Sequence, residues 1–348
     1  MFLGKPNRSY LEGVVYRQLG AAKRNVIVGP RFGVDNAIVR IATGKVMVAT
    51  TDPLSFIPAL GARDSAWLSV NLIASDLTTS GFQPQYGIFD FNLPPRMSSG
   101  QFTEYWASFH DACKRLGLAI IGGHTGRYEG CDYTVIGGGM MYAVGNENEY
   151  LTSEMGQIDD DIILTKGAAI ETTAVLTRVF PKTVRRALGD RLFERARKYL
   201  GEVSTVKDAL TAVTAGVHQN GVTSMHDATE GGVIAAISEL AGASRHGAEL
   251  DLEAIPISQE TEEICKVFGI DPFTSLSEGS LVITCRPRET GKVLARLREA
   301  KIKATVIGQL TKSRAIYATG TDGRSRVRYP KVDPYWRAYW NATSKHWK

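Results

Sequence analysis

Cysteine is scarce in this sequence, with four residues among 348. No two of them form a CxxC pair, so the sequence lacks the usual zinc-binding and dithiol redox motifs. Widely spaced cysteines are typical of core or surface thiols in a reducing compartment, and the four are Cys113, Cys131, Cys265 and Cys285. We therefore expect neither a disulfide framework nor a metal site built on cysteine.

Long hydrophobic runs are absent as well. No apolar segment reaches the roughly 18–20 residues that a membrane-spanning helix requires. Residues 1–13, MFLGKPNRSYLEG, contain no apolar stretch of the length found in signal peptides. The sequence thus predicts a cytoplasmic protein with no membrane partner.

The chain also lacks a GxxxxGK[ST] phosphate loop and the aromatic-rich motifs of RNA-binding modules. Its formal net charge of +5 and its pI near 8.9 favour anionic ligands only weakly. The densest basic segment, residues 182–200, alternates charged with apolar residues. That pattern predicts a solvated amphipathic helix, so we expect no nucleic-acid partner.

What the sequence does contain is an alternation of β-branched runs with amphipathic segments in both halves. For the first half it predicts strands within 26–60, 86–94, 119–123 and 133–145, and helices at 63–80 and 99–118. For the second half it predicts a strand at 161–167, helices from about 170 to 215, a loop leading into a helix at 221–244, and further strands and a helix beyond. The acidic, turn-rich segment 145–162 divides two α+β domains, residues 1–150 and 151–348.

Three aspartates of the first half lie at the ends of predicted elements. Asp35 stands in a glycine turn before a strand, Asp52 precedes a proline in TTDP, and Asp76 shares an apolar helix with Asn71. Singly, each is an ordinary turn, cap or surface residue. Together they suit Mg²⁺, which takes one or two carboxylates plus phosphate and water oxygens.

Glycines follow one apolar run abruptly in LAIIGGHTGRYEG, residues 118–130. A buried strand that ends in a turn at Gly122, Gly123, His124 and Thr125 could cradle a phosphate, or it could be a simple tight turn. The triple glycine at 137–139 lies within a strand-like run, where a close backbone approach or bulge is as plausible as phosphate binding.

Two segments of the second half could also contact a phosphate. Gly167 connects a predicted strand to a helix that starts near Thr172 and Thr173, and helix N-termini bind anions. MHDATEGG, residues 225–232, offers Asp227 and Thr229 either as helix caps or as part of a nucleotide loop. No GxSxG elbow accompanies it, so a hydrolytic triad is not expected.

In their order along the chain, these motifs resemble the PurM-like, aminoimidazole ribonucleotide synthetase-related superfamily. That superfamily includes the hydrogenase maturation factor HypE, thiamine-monophosphate kinase and selenophosphate synthetase. The resemblance spans roughly residues 10–320, and LTKGAAIETTAVL and MHDATEGGV look most like the HypE branch.

The resemblance implies an α+β fold in two domains. The strands of the N-terminal α+β domain would form a β-barrel with those of a second copy, giving a homodimer, and the C-terminal domain would be an α/β sandwich. ATP would lie between the domains, with Mg²⁺ held by residues matching Asp35, Asp52 and Asp76, and with Asp52, Asp76 and Asn71 in the catalytic region. The expected nucleotide contacts are Gly122, Gly123, Thr125, Gly167, Asp227 and Thr229.

The implied activity is ATP- and Mg²⁺-dependent phosphoryl transfer to an oxygen of a small molecule or partner. Three residues depart from the family pattern: Val34 and His124 stand where acids are frequent, and Glu230 stands where arginine is common. HypE also carries a C-terminal cysteine, whereas this sequence reads WNATSKHWK there, so the HypE reaction on its own tail is not expected. The departures keep two alternatives open, a nucleotide-binding scaffold without turnover and a kinase similar to thiamine-monophosphate kinase.

Overall fold

Six strands of the first half form one sheet in a computed structural model that describes Pro6 and residues 8–348. The strand order is β1-β2-β3-β6-β4-β5, and all neighbours are antiparallel except β4 and β5. The elements are α1 Arg8–Tyr10, β1 Val26–Val28, β2 Ala37–Ala42, β3 Lys45–Ser55, α2 Gly61–Thr78, β4 Tyr86–Leu93, α3 Ser99–Arg115, β5 Ala119–Arg127 and β6 Val135–Asn146.

Helix α2 packs against β3 and β6, and α3 packs on α2, so both helices cover one face of this sheet. The predicted apolar stripe of α2 is buried, including Ala66, Val70 and Ile73. A capping box between Ser98 and Gln101 starts α3 and fixes its first turn. The first domain therefore has one covered and one uncovered sheet face.

Seven strands of the second half form a mixed sheet in the order β13-β12-β9-β11-β7-β10-β8. The strands are β7 Asp161–Thr165, β8 Val222–Asp227, β9 Gly247–Asp251, β10 Leu281–Cys285, β11 Ala304–Thr311, β12 Ile316–Gly320 and β13 Gly323–Arg326. The helices are α4 Ile170–Val179, α5 Pro181–Ala196, α6 Val206–Val213, α7 Gly232–Ala243, α8 Gln259–Phe268, α9 Thr290–Glu299 and α10 Pro334–Ser344. Side chains of β8 and β10 are buried throughout because α7 covers one face and α6 with α9 covers the other.

The two domains contact each other through apolar and polar groups. Leu68 of α2 packs with Ile170 and Ala174 of α4. Gly33, in the loop before β2, approaches α7 so closely that a Cβ would lie 2.6 Å from the Glu239 carbonyl oxygen. Its φ of 77° also favours glycine there. This approach places the Asp35 loop of the first domain against the second.

The two-domain α+β architecture with mixed sheets is confirmed, but several local predictions are wrong. Residues 222–227 form the buried strand β8 where we expected a loop. Gly189, with a φ of 73°, interrupts the helix expected over 182–200. Helices α8 and α10 and strand β13 were not predicted, since their patterns are short.

The four cysteines are free thiols, as the sequence predicts. No helix in the described part of the chain is long and apolar enough to cross a membrane.

Candidate functional site

The three predicted aspartates of the first domain approach one another at the domain boundary. Thr50 of β3 connects two of them, because its hydroxyl oxygen lies 3.0 Å from the Asp35 carbonyl oxygen and 3.3 Å from Asp76 Oδ2 and can donate its hydrogen to either. Buried Asn36 donates to the Asp76 carbonyl at 2.8 Å and thereby holds the last turn of α2. Asp52 lies inside β3, three residues before the strand ends.

The second domain supplies a larger set of carboxylates to the same place. Asp227 ends β8, and Glu171 begins α4. Glu278 and Asp333 lie in loops before β10 and α10, and Glu230 follows β8. We call the whole set the carboxylate cluster: Asp35, Asp52, Asp76, Glu171, Asp227, Glu230, Glu278 and Asp333.

Mutual repulsion and burial perturb the acids of this cluster. Burial raises the pKa of Glu171 to about 8, and the charges of Asp333, Glu230 and Asp52 add to the rise. Burial also raises the pKa of Glu278 well above its ordinary value, with further contributions from Asp227 and Glu171 and from Asp76 and Asp52. The charges of first-domain acids therefore contribute to the raised pKa values of acids in the second domain.

Asp333 and Asp227 differ in how their oxygens are satisfied. Asp333 accepts backbone hydrogen bonds from Gly231 and Tyr335, each at 2.8 Å, yet burial together with Glu230 raises its pKa to about 6. Both carboxylate oxygens of Asp227 are buried and make no hydrogen bond to the described residues. One oxygen each of Glu171 and Glu278 is in the same condition. Buried acceptors of this kind call for a cation or donor from outside the chain.

Sequence reasoning missed Glu171, Glu278 and Asp333. Glu171 stands beside the two threonines that drew attention to the start of α4, and its charge was the available signal. Glu278 and Asp333 lie in loops with no recognisable motif. Their role appears only when the fold brings residues more than 150 positions apart together.

Asn71 bonds to its own helix. Its side-chain amide donates to the Trp67 carbonyl at 2.8 Å, one turn earlier in α2. The side chain is buried, and among the described residues no hydrogen bond is found from it to the carboxylate cluster. A role of Asn71 beside the aspartates therefore stays a prediction.

The glycines of LAIIGGHTG do not form a turn, contrary to expectation. They continue β5, an edge strand whose residues are mostly exposed, and Ile121 bulges where the pairing with β4 shifts. Gly123 has a φ of 151°, and a Cβ there would collide with the Phe89 carbonyl oxygen. Strand pairing alone thus requires Gly123, whereas a Cβ at Gly122 would lie 3.9 Å from Ile88, an ordinary van der Waals contact.

Thr125 and His124 lie on the same strand. Thr125 pairs with Phe91 of β4. His124 Nε2 lies 2.6 Å from the hydroxyl of Tyr128, the first residue after β5, so this imidazole contacts a close neighbour in the chain. Val34, the other departure in this domain, packs against the apolar core of the first domain.

The triple glycine at 137–139 serves packing. A Cβ at Gly139 would lie 2.5 Å from the Phe89 ring and 2.7 Å from Ile73, and one at Gly137 would meet the Asp90 carbonyl oxygen. The close backbone approach was one of the two readings open from the sequence.

Gly167 occupies a tight turn after β7. A Cβ there would lie 2.4 Å from the Pro256 carbonyl oxygen, and the residue has a φ of 144°. Both features require glycine at this position. The neighbouring Lys166 forms an ion pair with buried Asp208 at 2.5 Å and donates to three backbone carbonyls. This lysine therefore stabilises the second domain from within.

The start of α4 is already occupied by protein groups. The Ala169 amide donates to Ser277 Oγ at 2.8 Å, and the Thr172 amide donates to the Leu276 carbonyl at 3.1 Å. The Thr172 and Thr173 hydroxyls bond to neighbouring protein oxygens. This helix start offers less to a phosphate than the sequence suggested.

His226, directly before Asp227, is surrounded by carboxylates. Its Nε2 lies 3.0 Å from Glu239 of α7, and its Nδ1 lies 3.3 Å from Asp35 and 3.8 Å from Asp227. Burial opposes the charged form, but the three carboxylates outweigh it and raise the pKa of His226 well above its ordinary value. The imidazole therefore links the two domains electrostatically.

A cavity of about 550 Å³ opens beside Glu230 and Asp333. Phe32, Tyr329 and Trp336 line it, with the Phe32 and Tyr329 rings edge to face at 5.7 Å. An apolar or aromatic group could pack there while a polar group reached the carboxylates.

Two family descriptions match the chain. The N-terminal domain of AIR synthase related proteins matches residues 33–141, and the C-terminal domain matches residues 157–320. These matches cover most of both domains.

Characterised relatives are similar along most of their length. A putative hydrogenase expression/formation protein of Methanocaldococcus jannaschii is 25% identical, covering 95% of this chain and 96% of the relative. Selenide, water dikinase of the same organism is 26% identical over 83% of each chain. Carbamoyl dehydratase HypE of Cupriavidus necator is 26% identical, covering 77% of this chain and 73% of that one.

Solved structures share the fold at lower identity. HypE in a HypE–HypF complex superposes with a TM-score of 0.74 at 18% identity, covering 92% of this chain and all of that one. HypE in complex with ATP gives 0.64 at 18% identity, covering 96% and 97%. A ThiL protein complexed with AMPPCP and TMP gives 0.70 at 16% identity, covering 95% and 99%. With both domain matches in sequence order, the chain belongs to the AIR synthase related, PurM-like family.

Proposed function

We propose that the chain binds ATP with Mg²⁺ at the carboxylate cluster and transfers a phosphoryl group to an oxygen of an acceptor. The observation that carries this proposal is the convergence of eight carboxyl groups from both domains, several buried with unsatisfied oxygens. A concentration of buried carboxyl groups is costly unless protons or cations neutralise their charge. Among the relatives, the HypE structure with ATP and the ThiL structure with AMPPCP contain such nucleotides.

Under this proposal, nucleotide binding requires divalent cations. ATP is itself an anion, and Glu230 adds to the negative field at Glu171. Phosphate oxygens would be repelled unless metal ions lay between them and the cluster. Mg²⁺ bound by Asp35, Asp52 and Asp76 would screen this repulsion and stabilise charge on the transferring phosphoryl group.

Different residues of the chain would position the phosphates, contact the nucleotide and hold the acceptor. Asp52 and Asp76, half-buried at the boundary, fix the position of the phosphates through the metal, with Asn71 as a supporting residue of α2. Gly122, Gly123 and Thr125 would border the nucleotide from β5, and Gly167, Asp227 and Thr229 from the second domain. The aromatic cavity beside Glu230 would hold the acceptor and keep water from the reacting oxygen.

A second copy of the chain would complete the assembly. The uncovered face of the first sheet exposes apolar side chains on adjacent strands, including Tyr86 and Ile88 of β4 and Met140 and Val144 of β6. Exposed apolar patches of this kind mark interaction surfaces. We propose a homodimer formed through this face.

The test is ATP binding and ADP release by the purified protein, with and without Mg²⁺. Asp52→Asn and Asp76→Asn should lower turnover at least a hundredfold, while Asp111→Asn, an exposed change on α3, should leave it unaltered. Binding without turnover across a broad acceptor panel would favour a regulatory scaffold. Turnover confined to thiamine monophosphate would favour the kinase reading, and absence of ATP binding would refute the proposal.

A further inference from the structure

His226 lies next to the carboxylate cluster and differs from its members, because its side chain offers ring nitrogens where the cluster offers carboxylate oxygens. Its side chain is 2% exposed. It is the last but one residue of β8, directly before Asp227, and it faces Asp35 of the first domain. The close approach of Gly33 to α7 places the Asp35 loop against the second domain.

The two nitrogens of this imidazole face different partners. Nε2 lies 3.0 Å from Glu239 Oε2, and the other oxygen of Glu239 accepts a hydrogen bond from the Tyr329 hydroxyl at 2.5 Å. An ionised carboxylate only accepts hydrogen bonds, so Nε2 carries the hydrogen in this pair. The lone pair of a neutral imidazole would then be on Nδ1.

Nδ1 points to the side where the buried oxygens are unsatisfied. Nδ1 and both oxygens of Asp227 make no hydrogen bond to the described residues. Nδ1, one oxygen of Asp35 and one of Asp227 all lie within 4.8 Å of one another, and Nδ1 is 3.3 Å from Asp35 Oδ2. Two ligands bound to one ion at about 2.1 Å are separated by about 3.0–3.4 Å in octahedral or tetrahedral geometry. The spacing therefore suits a common ion after small side-chain rotations.

The outer contacts match those of metal-binding histidines. Such a histidine donates its second ring N–H to a carboxylate, which fixes the tautomer and the ring orientation. Glu239 holds that position here, and Tyr329 in turn orients Glu239.

We infer that Asp35, His226 and Asp227 form a binding site for a divalent transition-metal ion of the Mn²⁺, Co²⁺ and Zn²⁺ class. Imidazole nitrogen is a good ligand for these ions, whereas Mg²⁺ prefers oxygen and keeps much of its water. The site goes beyond the proposed nucleotide chemistry, because its three ligands come from the chain and require no ATP. Asp35 is common to both sites and can contribute an oxygen to each. Glu239 and Tyr329 are positioning residues.

The test uses the full-length protein, freed of metals by chelation and studied without nucleotide. Mn²⁺ titration followed by calorimetry should give one ion per chain that persists in excess Mg²⁺. Pulsed electron paramagnetic resonance of bound Mn²⁺ should show coupling to a histidine ¹⁴N nucleus. His226→Gln should abolish that coupling, whereas His110→Gln, an exposed change on α3, should retain it.

Glu239→Gln provides a separate measurement that keeps all three ligands. Loss of an outer carboxylate should weaken Mn²⁺ binding about 10- to 100-fold while the nitrogen coupling persists. Mn²⁺ that binds wild-type protein without nitrogen coupling, or that binds equally well to folded His226→Gln, would overturn the inference and leave His226 as a buried counter-ion. If in that case Asp52→Asn still abolished Mg²⁺-dependent ATP turnover, the proposed function would stand without the transition-metal site.

Discussion

Glu171→Gln should change how the stability of the metal-free protein depends on pH. The folded protein raises the pKa of this carboxyl to about 8 from a reference of 4.5. Folding therefore favours the protonated form, and the stability tied to Glu171 is complete below pH 4.5 and is lost as pH rises through 8. With 1.36 kcal/mol for each unit of pKa, the loss between pH 5 and pH 8 is on the order of 3 kcal/mol. Glutamine keeps the shape and cannot ionise, so the variant should lack this part of the slope.

The measurement is urea unfolding followed by tryptophan fluorescence at pH 5, 6, 7 and 8, with a chelator present. Wild-type protein should lose stability steeply towards pH 8, whereas Glu171→Gln should show a shallower decline set by Glu278 and Asp333. Glu104→Gln, an exposed change on α3, controls for removal of a charge. Added Mg²⁺ should stabilise the wild type more at pH 8 than at pH 5, because it replaces protons. Parallel pH profiles of Glu171→Gln and wild type would refute the reasoning.

Two further predictions concern the first sheet. Gly123→Ala should destabilise the protein by more than about 2 kcal/mol, because its Cβ meets the Phe89 carbonyl oxygen at a φ of 151°. Gly122→Ala should fold normally, and a weaker ATP affinity in that variant would support a nucleotide contact from β5; equal unfolding midpoints for the two variants would contradict the assigned pairing. Met140→Lys should convert a dimer into monomers in sedimentation experiments, because it places a charge on the uncovered apolar face, while Trp340→Lys, on an exposed part of α10, should not. A wild-type monomer, or a dimer unaffected by Met140→Lys, would contradict dimerisation through this face.

The sequence predicted most elements because their signals are local. The buried stripe of α2 follows from the spacing of its apolar residues, and Gly117, two residues beyond the last residue of α3, has a φ of 71° that favours glycine. The glycines of β5 misled the prediction, since paired glycines are typical of turns. Here Gly123 is needed because a neighbouring strand approaches closely, and the bulge at Ile121 depends on pairing with β4. Neither fact is contained in the segment itself.

Sequence motifs pointed to the first-domain acids of the candidate site and, in the second domain, to Asp227, but not to Glu171, Glu278 or Asp333. Asp35, Asp52 and Asp76 belong to recognisable motifs, and the fold brings their neighbourhoods together through Thr50 and Asn36. The acids of the second domain reach the site from α4, two loops and the end of β8. These acids shift one another's pKa values because the fold places them close together, and no linear sequence pattern encodes that proximity.

The distribution of these acids has a consequence for the contact between the domains. Glu278 of the second domain feels Asp52 and Asp76 of the first, and Glu171 feels Asp52, so the repulsion acts across the boundary. The apolar contact of Leu68 with Ile170 and Ala174 opposes that repulsion. It lies close to the cluster, because Ile170 directly precedes Glu171 in α4. A cation in the cluster would remove the repulsion and leave the apolar contact, and it would therefore stabilise the association of the two domains as well as the bound phosphates. Glu230 increases this dependence, because its negative charge adds to the rise in the pKa of Glu171 and of Asp333.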